Sequence, residues 1–186
     1  CRMERLIQKN PVLFKTILNR AIAECPKSGA LWAEAILCEP RPQRKAKSID
    51  ALKHCDNSDP VLLVTIGRLF WSERRVDKAR TWFSRCIDLN PKYGDAYAWL
   101  YWLESETSTG TTTTTTTTTT SNPDSGSAEE TDRLNAILTS VETNLPTHGE
   151  YWQQLSKDPK SNMLNASAKQ ILLQVVKVLK AQSSIL

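Results

Sequence analysis

The chain of 186 residues has few of the residues that usually hold metal ions. It contains only two histidines, His54 and His148, and none of its five cysteines lies in a CxxC spacing. This composition argues against a zinc site. An odd number of scattered cysteines favours a reducing compartment, the cytosol or the nucleus. We expect the cysteines in helical stretches to be small core residues.

Other signatures are missing as well. No apolar run approaches the length of a transmembrane helix, and no signal-peptide pattern opens the chain. The GxGxxG, GxxxxGK[ST], HExxH and GxSxG patterns are all absent. His148 lies near Glu150, and we interpret that pair as structural. We therefore expect no enzyme activity, no cofactor, no small-molecule substrate and no membrane partner.

Glycine is scarce, yet three of the six glycines fall in one recurring pattern. PKSGALW (26–32), PKYGDAY (91–97) and PTHGEYW (146–152) each read proline, two residues, glycine, two residues, then Trp or Tyr. With Pro60, the first three prolines are separated by 34 and 31 residues. Glu39, Glu73 and Glu104 each follow their proline by 13 residues. Regular spacing of this length predicts structural repeats.

The segments between the prolines have helical periodicity. Leu63, Ile66 and Phe70 recur at spacings of three and four, which predicts an apolar stripe on a helix over 60–73. Residues 76–89 show the same pattern. Asp59 before Pro60 is a good helix start, because aspartate caps and proline suits the first turn. Each repeat is therefore predicted to be two helices joined by a tight turn.

Residues 60–91 fit the tetratricopeptide pattern, and the flanking copies fit its half-a-tetratricopeptide (HAT) variant. We predict an all-α fold, an α-α superhelix (solenoid) of HAT/TPR-like repeats. In each pattern the proline closes one repeat, and the glycine provides positive φ or close approach. The aromatic residue packs the next helix, although it could instead form a ligand platform. The residues expected to define the repeats are Pro26, Gly29, Trp32, Glu39, Pro60, Gly67, Phe70, Ala79, Phe83, Pro91, Gly94, Tyr97, Glu104, Pro146, Gly149 and Trp152.

The chain is divided by a threonine-rich stretch. We expect repeats over 1–106, a disordered insertion over 107–127, further repeats over 128–158, and a linker with a C-terminal capping helix over 159–186. Ten consecutive threonines cannot bury a core. The stretch could alternatively be glycosylated or phosphorylated, and the last helix could bind a partner. Ser127 and Glu130 are predicted as a capping box for the helix after the insertion.

Basic residues are concentrated in two places. Residues 1–53 contain 11 basic and 5 acidic side chains, which suggests either a charged partner or a solvated helical face. A second basic run, 74–85, is interleaved with Trp82 and Phe83. Such a mixture can bind RNA. However, the aromatic residues occupy core-facing positions, so we favour a solvated face there too.

The order of several short motifs resembles one family. These are Phe70–Trp71, Lys78–Ala79–Arg80, Trp82–Phe83, Gly94–Asp95–Ala96–Tyr97, His148–Gly149–Glu150 with Trp152, and Ser156–Lys157–Asp158. Over about 11–180 the chain is similar to the C-terminal HAT-repeat region of the pre-mRNA-processing factor six family. The resemblance implies a nuclear, non-catalytic scaffold that bridges snRNP particles in the spliceosomal tri-snRNP. Its implied partners are spliceosomal snRNP proteins, with indirect association with snRNA.

Two other classes of function remain open at this point. The first is a HAT-repeat scaffold of another RNA-processing complex, in mRNA 3′-end cleavage or ribosome assembly. The second is a tetratricopeptide co-chaperone module that captures C-terminal carboxylates. The second class needs asparagine with Lys or Arg on the first helices, whereas the corresponding positions hold Ala33, Leu37, Val64 and Arg68.

Overall fold

The fold is all-α. The computed structural model describes residues 11–110, 126–157 and 166–183, and these residues form nine helices and no strand. The helix pairs joined by short links confirm the predicted all-α class of helix-turn-helix repeats. The helices are α1 (Pro11–Glu24), α2 (Gly29–Cys38), α3 (Arg41–His54), α4 (Pro60–Ser72), α5 (Val76–Leu89), α6 (Gly94–Gly110), α7 (Gly126–Asn144), α8 (Glu150–Ser156) and α9 (Ala168–Ser183).

Most predicted helices lie within a few residues of the observed ones, and α5 matches at both ends. The helix expected near 3–10 and the threonine run lie outside the described residues. Two predicted boundaries differ. The helix α6 continues to Gly110 because the Ser105 and Thr107 hydroxyls donate to the carbonyls of Trp102 and Glu104. The helix α7 already begins at Gly126, so Ser127 lies inside it and is not its cap.

The chain forms two compact units, Cys1–Trp82 (unit 1) and Phe83–Leu186 (unit 2). In unit 1, α2 packs against α1, α3 and α4. Its core forms because Trp32 and Ile36 lie one turn apart on α2 and face apolar residues of the two helices that follow. The buried members of this cluster are Trp32, Ile36, Ala51, Cys55, Leu62, Ile66 and Leu69. A second cluster, of Phe14, Leu18 and Ala35, joins α1 to α2.

Unit 2 is built around α6, which packs against α7, α8 and α9. The sequence of α6 is apolar around most of its circumference, and residues 96–100 are all buried. A helix of that kind needs partners on several sides. The helix α9 supplies Leu172, Val175 and Leu179 to the core, while Lys169 and Lys180 pair with Glu142 of α7 and Glu106 of α6.

Two helices end in a strained backbone conformation. Arg74 follows α4 with φ of 60°, and Leu145 follows α7 with φ of 45°. This left-handed region suits glycine, because a Cβ crowds the neighbouring carbonyl there. The Leu145 N–H donates to the Val141 carbonyl at 3.0 Å, so the strain accompanies the closure of the last helical turn.

Replacing Leu145 by glycine should therefore stabilise the protein. Its side chain is 59% exposed, so little packing is lost. We expect a gain of about 0.5–1 kcal/mol, the left-handed strain relieved less the extra chain entropy of glycine. The measurement is the urea unfolding midpoint. Leu145→Ala is the control, because it removes the side chain and keeps the strain; equal gains from both variants would contradict this account.

Candidate functional site at the repeat junctions

The aromatic residue of each of the first two patterns closes its own loop. The indole Nε1 of Trp32 donates to the Pro26 carbonyl at 2.7 Å, and the Tyr97 hydroxyl donates to the Pro91 carbonyl at 3.1 Å. Both bonds therefore join residues six apart, and both rings are buried. The Pro26 carbonyl also accepts from the Cys55 Sγ at 3.7 Å. Packing and loop closure thus account for the aromatic position without a ligand platform.

In unit 2 the loops of two successive patterns bind each other. The Gly94 N–H donates to the His148 carbonyl at 2.7 Å, and the N–H groups of Thr147 and His148 donate to the Lys92 carbonyl. Tyr93 and His148 form a parallel β-bridge. The Lys92 ammonium also donates to the last carbonyl of α7, at Asn144. Sequence reasoning treated these loops as separate turns, whereas they form one hydrogen-bonded junction.

A buried carboxylate links α6 to α8 at this junction. Asp95, which is 3% exposed, accepts from the Tyr151 N–H at 3.2 Å and from the Trp152 N–H at 2.9 Å. These are first-turn groups of α8 that have no partner inside their own helix. A negative side chain is also favoured there by the helix dipole. Asp95 is therefore the N-terminal cap of a helix that begins 55 residues later.

Glycine permits this close packing. Gly149 has φ of 130°, and a Cβ added to it would lie 2.6 Å from the Asp95 Oδ1. A Cβ added to Gly94 would overlap the Trp152 indole. Of the two reasons expected for glycine, Gly149 thus shows both positive φ and close approach, and Gly94 shows close approach.

Unit 1 contains a related junction with the carboxylate on the other side. Asp59 accepts from the N–H groups of Val61 and Leu62, so it caps its own helix, α4. A Cβ added to Gly29, the first residue of α2, would collide with the Asp59 carboxylate. In unit 1 the aspartate thus belongs to the later helix, whereas in unit 2 it belongs to the earlier one. In both units it packs against the glycine of the other helix.

Pro60 has a different place from the other prolines. It is the first residue of α4, where Gly29 and Gly94 begin α2 and α6. Pro26 and Pro91 instead precede their helices by three residues. The glutamates at equal spacing therefore differ in position: Glu39 and Glu73 follow their helices, whereas Glu104 lies buried within α6. Glu39 pairs with Lys15 of α1 at 2.9 Å.

The remaining predicted repeat residues are mostly buried. Pro146, Trp152, Gly67, Ala79 and Phe83 are buried, and Phe70 is half-buried. Phe70 stacks on Trp82 with ring centroids 6.4 Å apart, and the Lys78 ammonium lies over the Phe70 ring. Because these rings pack within the protein, the basic run 74–85 does not form the aromatic platform that would stack bases.

The ionisable groups at the junctions suit structure better than catalysis. Burial raises the pKa of Asp95 to about 6, although the N–H donors of Tyr151 and Trp152 act in the opposite direction. Burial also raises the pKa of the Cys55 thiol, which makes it a poor nucleophile. Over the described ranges, no group of three or more His, Cys, Asp or Glu side chains could hold a metal ion. No helix in those ranges is long and apolar enough to cross a membrane.

The fold and its junctions define a helical-repeat protein whose apparent sites are packing contacts. No family model matches the chain. It is 39% identical over 118 residues to human pre-mRNA-processing factor 6, which is 63% of this chain and 10% of that protein. It is 37% identical over 118 residues to STABILIZED1 of Arabidopsis thaliana, covering 63% and 9%. It is 34% identical over 148 residues to the Schizosaccharomyces pombe pre-mRNA-splicing factor prp1, covering 80% and 14%.

These similarities identify a segment and not a whole protein. The chain spans between 9% and 14% of the length of these three relatives. Over most of its own length it is a region like the corresponding part of pre-mRNA-processing factor 6, as its ordered motifs indicated.

Adding a methyl group at Gly94 should destabilise unit 2. We expect Gly94→Ala to cost about 2 kcal/mol, because the Cβ and the Trp152 indole compete for the same space. Urea unfolding of Gly94→Ala, Trp152→Leu and the double variant measures the coupling. The double variant should lose less stability than the two single losses added together. Additive losses would show that the indole is not the obstacle.

The elevated pKa of Asp95 predicts a pH dependence of stability. The folded pKa of about 6 lies above the model value of 3.8, so the folded state binds the proton more tightly. This group's contribution to the free energy of unfolding should rise by about 1 kcal/mol from about pH 7 to about pH 5. The measurement is the unfolding free energy of the wild type against Asp95→Asn at both pH values. Parallel pH profiles for the two proteins would refute the assignment.

Proposed function

We propose that this chain is part of a non-catalytic protein–protein interaction scaffold that acts in pre-mRNA splicing in the nucleus. The observation that carries the proposal is the 39% identity over 118 residues to human pre-mRNA-processing factor 6. The similarity to a fission yeast protein named as a pre-mRNA-splicing factor supports the same process.

The structure supports a scaffold more than an enzyme. The distinctive motif residues are used to build junctions: Gly94 and Asp95 contact the loop and first turn that contain His148, Gly149 and Trp152. These are residues by which the sequence resembles its family. Helical repeats present extended surfaces to partners, so folding residues and partner-binding residues lie at different positions.

In its finer form, the proposal is that the chain helps to bridge snRNP particles in the spliceosomal tri-snRNP. Its partners would then be snRNP proteins, and its association with snRNA would be indirect. The packing of Trp82 and Phe83 inside the protein agrees with indirect RNA association, since buried rings offer no faces for bases.

Affinity capture from nuclear extract with the full chain as bait should test this function. We expect tri-snRNP proteins and their snRNAs on the bait, and we expect the proteins to remain after RNase treatment. Quantitative mass spectrometry and small-RNA sequencing are the measurements. Retention after RNase is expected because the proposed contacts are between proteins.

The matched control is Gly149→Val, which combines a strained backbone with a collision against Asp95. It should disturb the α6–α8 junction and reduce recovery. Capture of heat-shock chaperones alone would contradict splicing and favour a co-chaperone module. Capture of cleavage or ribosome-assembly factors would favour another HAT scaffold. Loss of every protein after RNase would contradict protein-mediated bridging.

A further inference from the structure

The helix α3 has an unusual excess of positive charge. Its 14 residues include five cations, Arg41, Arg44, Lys45, Lys47 and Lys53, and a single acidic residue, Asp50. Four of the cations lie in the first seven residues of the helix, and its first turn contains no acidic residue. The positive end of the helix dipole disfavours cations there, so this arrangement does not serve helix stability.

Two of these cations have structural roles. The Arg44 guanidinium donates to the Glu39 carbonyl at 2.8 Å and to the Leu37 carbonyl at 3.2 Å, which satisfies the C-terminal end of α2. The Lys47 ammonium lies 5.2 Å from the centre of the Trp32 ring. These contacts explain why both side chains are half-buried, and they remove them from the exposed face.

The other three cations line an exposed row with an apolar residue within it. Arg41, Lys45, Ile49 and Lys53 follow one another at four-residue spacing, and all four are exposed. We call this row the α3 ridge. Four residues of helix rise about 6 Å, so side chains at this spacing are neighbours. Ile49 is 50% exposed, with Lys45 and Lys53 one turn away on either side.

Contacts within the protein leave most of this charge uncompensated. Lys53 lies 3.4 Å from Asp50, an exposed pair that contributes little. Over residues 11–110, Arg41 and Lys45 form no ion pair with an acidic side chain. The ridge therefore combines unneutralised charge, an exposed isoleucine and a placement that opposes the helix dipole.

We propose that the α3 ridge docks an acidic helical segment of a partner protein, with an apolar residue on Ile49 and carboxylates on Arg41, Lys45 and Lys53. Rows at four-residue spacing are the rows by which helices pack on each other, so a partner helix can present its side chains in register. The electrostatic match would set orientation and association rate, and the apolar contact would exclude water.

A protein segment suits the ridge better than RNA. Binding of single-stranded RNA needs aromatic faces beside the charges. The ridge has none, and the nearest aromatic residue in its surroundings, Trp32, is buried and stacked on His54. This inference adds a surface to the proposed scaffold and rests on that function only in requiring a protein partner.

A direct binding measurement tests the ridge. The probe is a fluorescein-labelled helical peptide that presents glutamate, glutamate, leucine and glutamate at four-residue spacing, titrated with the full chain. We expect binding that weakens as salt is raised. Lys45→Glu/Lys53→Glu should weaken it at least about tenfold. The control Lys27→Glu/Lys177→Glu has the same net charge at two other exposed lysines and should bind like the wild type.

A second pair of measurements separates binding from folding. Arg41→Glu should raise the Tm, because it places a negative charge in the first turn of α3, and yet weaken peptide binding. Ile49→Ala should also weaken binding while circular dichroism stays unchanged. A lower Tm for Arg41→Glu would mean that the charge serves stability and would overturn the argument.

Three outcomes would overturn the proposal: no binding of the peptide by the wild type at low salt, equal binding by the ridge and control variants, or tighter binding of an oligouridine than of the peptide. These outcomes are distinct from failure of the splicing function. That failure would appear as absence of splicing proteins from the wild-type bait, whatever the ridge variants do.

Discussion

A carboxylate packed against a glycine is the contact on which both units depend. Asp59 against Gly29 and Asp95 against Gly149 bring consecutive first helices into contact at their starting ends. Each carboxylate accepts two N–H groups of a first turn, so the helix that it caps is fixed in direction as well as in position. The aromatic side chains then fill the space that these close approaches define. Replacing either partner would leave a buried charge unpaired or a backbone collision.

Much of the fold could be predicted from local patterns. Apolar periodicity gave α5 its limits, and the Asp59–Pro60 pair marked the start of α4, because both signals depend on neighbours in the sequence. The role of Asp95 could not be predicted in this way. Its hydrogen-bond partners are 56 and 57 residues away, and an aspartate at the second position of α6 looks like a residue that favours its own helix. The signal was present only as the shared Gly–Asp and Gly–Glu dipeptides of the patterns.

The register of the repeats shows the same limit. Equal proline spacing placed Pro60 with Pro26 and Pro91, but Pro60 starts a helix and the others precede one. Proline serves both positions well, so the residue type alone cannot distinguish them. The left-handed φ of Leu145 and Arg74 was also invisible, since neither residue favours that conformation and only the packing around the helix ends imposes it. The charged ridge was visible as composition, but its separation from Arg44 and Lys47 required the contacts.

The long-range cap of α8 also limits how this protein can be divided. Because Asp95 binds main-chain groups, the side chains of α8 are free to vary in evolution as long as the glycine remains. A chain cut between α6 and α8, in contrast, keeps a carboxylate in an apolar pocket without its donors. Gene fusions, exon boundaries and proteolytic fragments that separate these helices should therefore be selected against, whereas insertions in the link between α6 and α7 leave the cap intact.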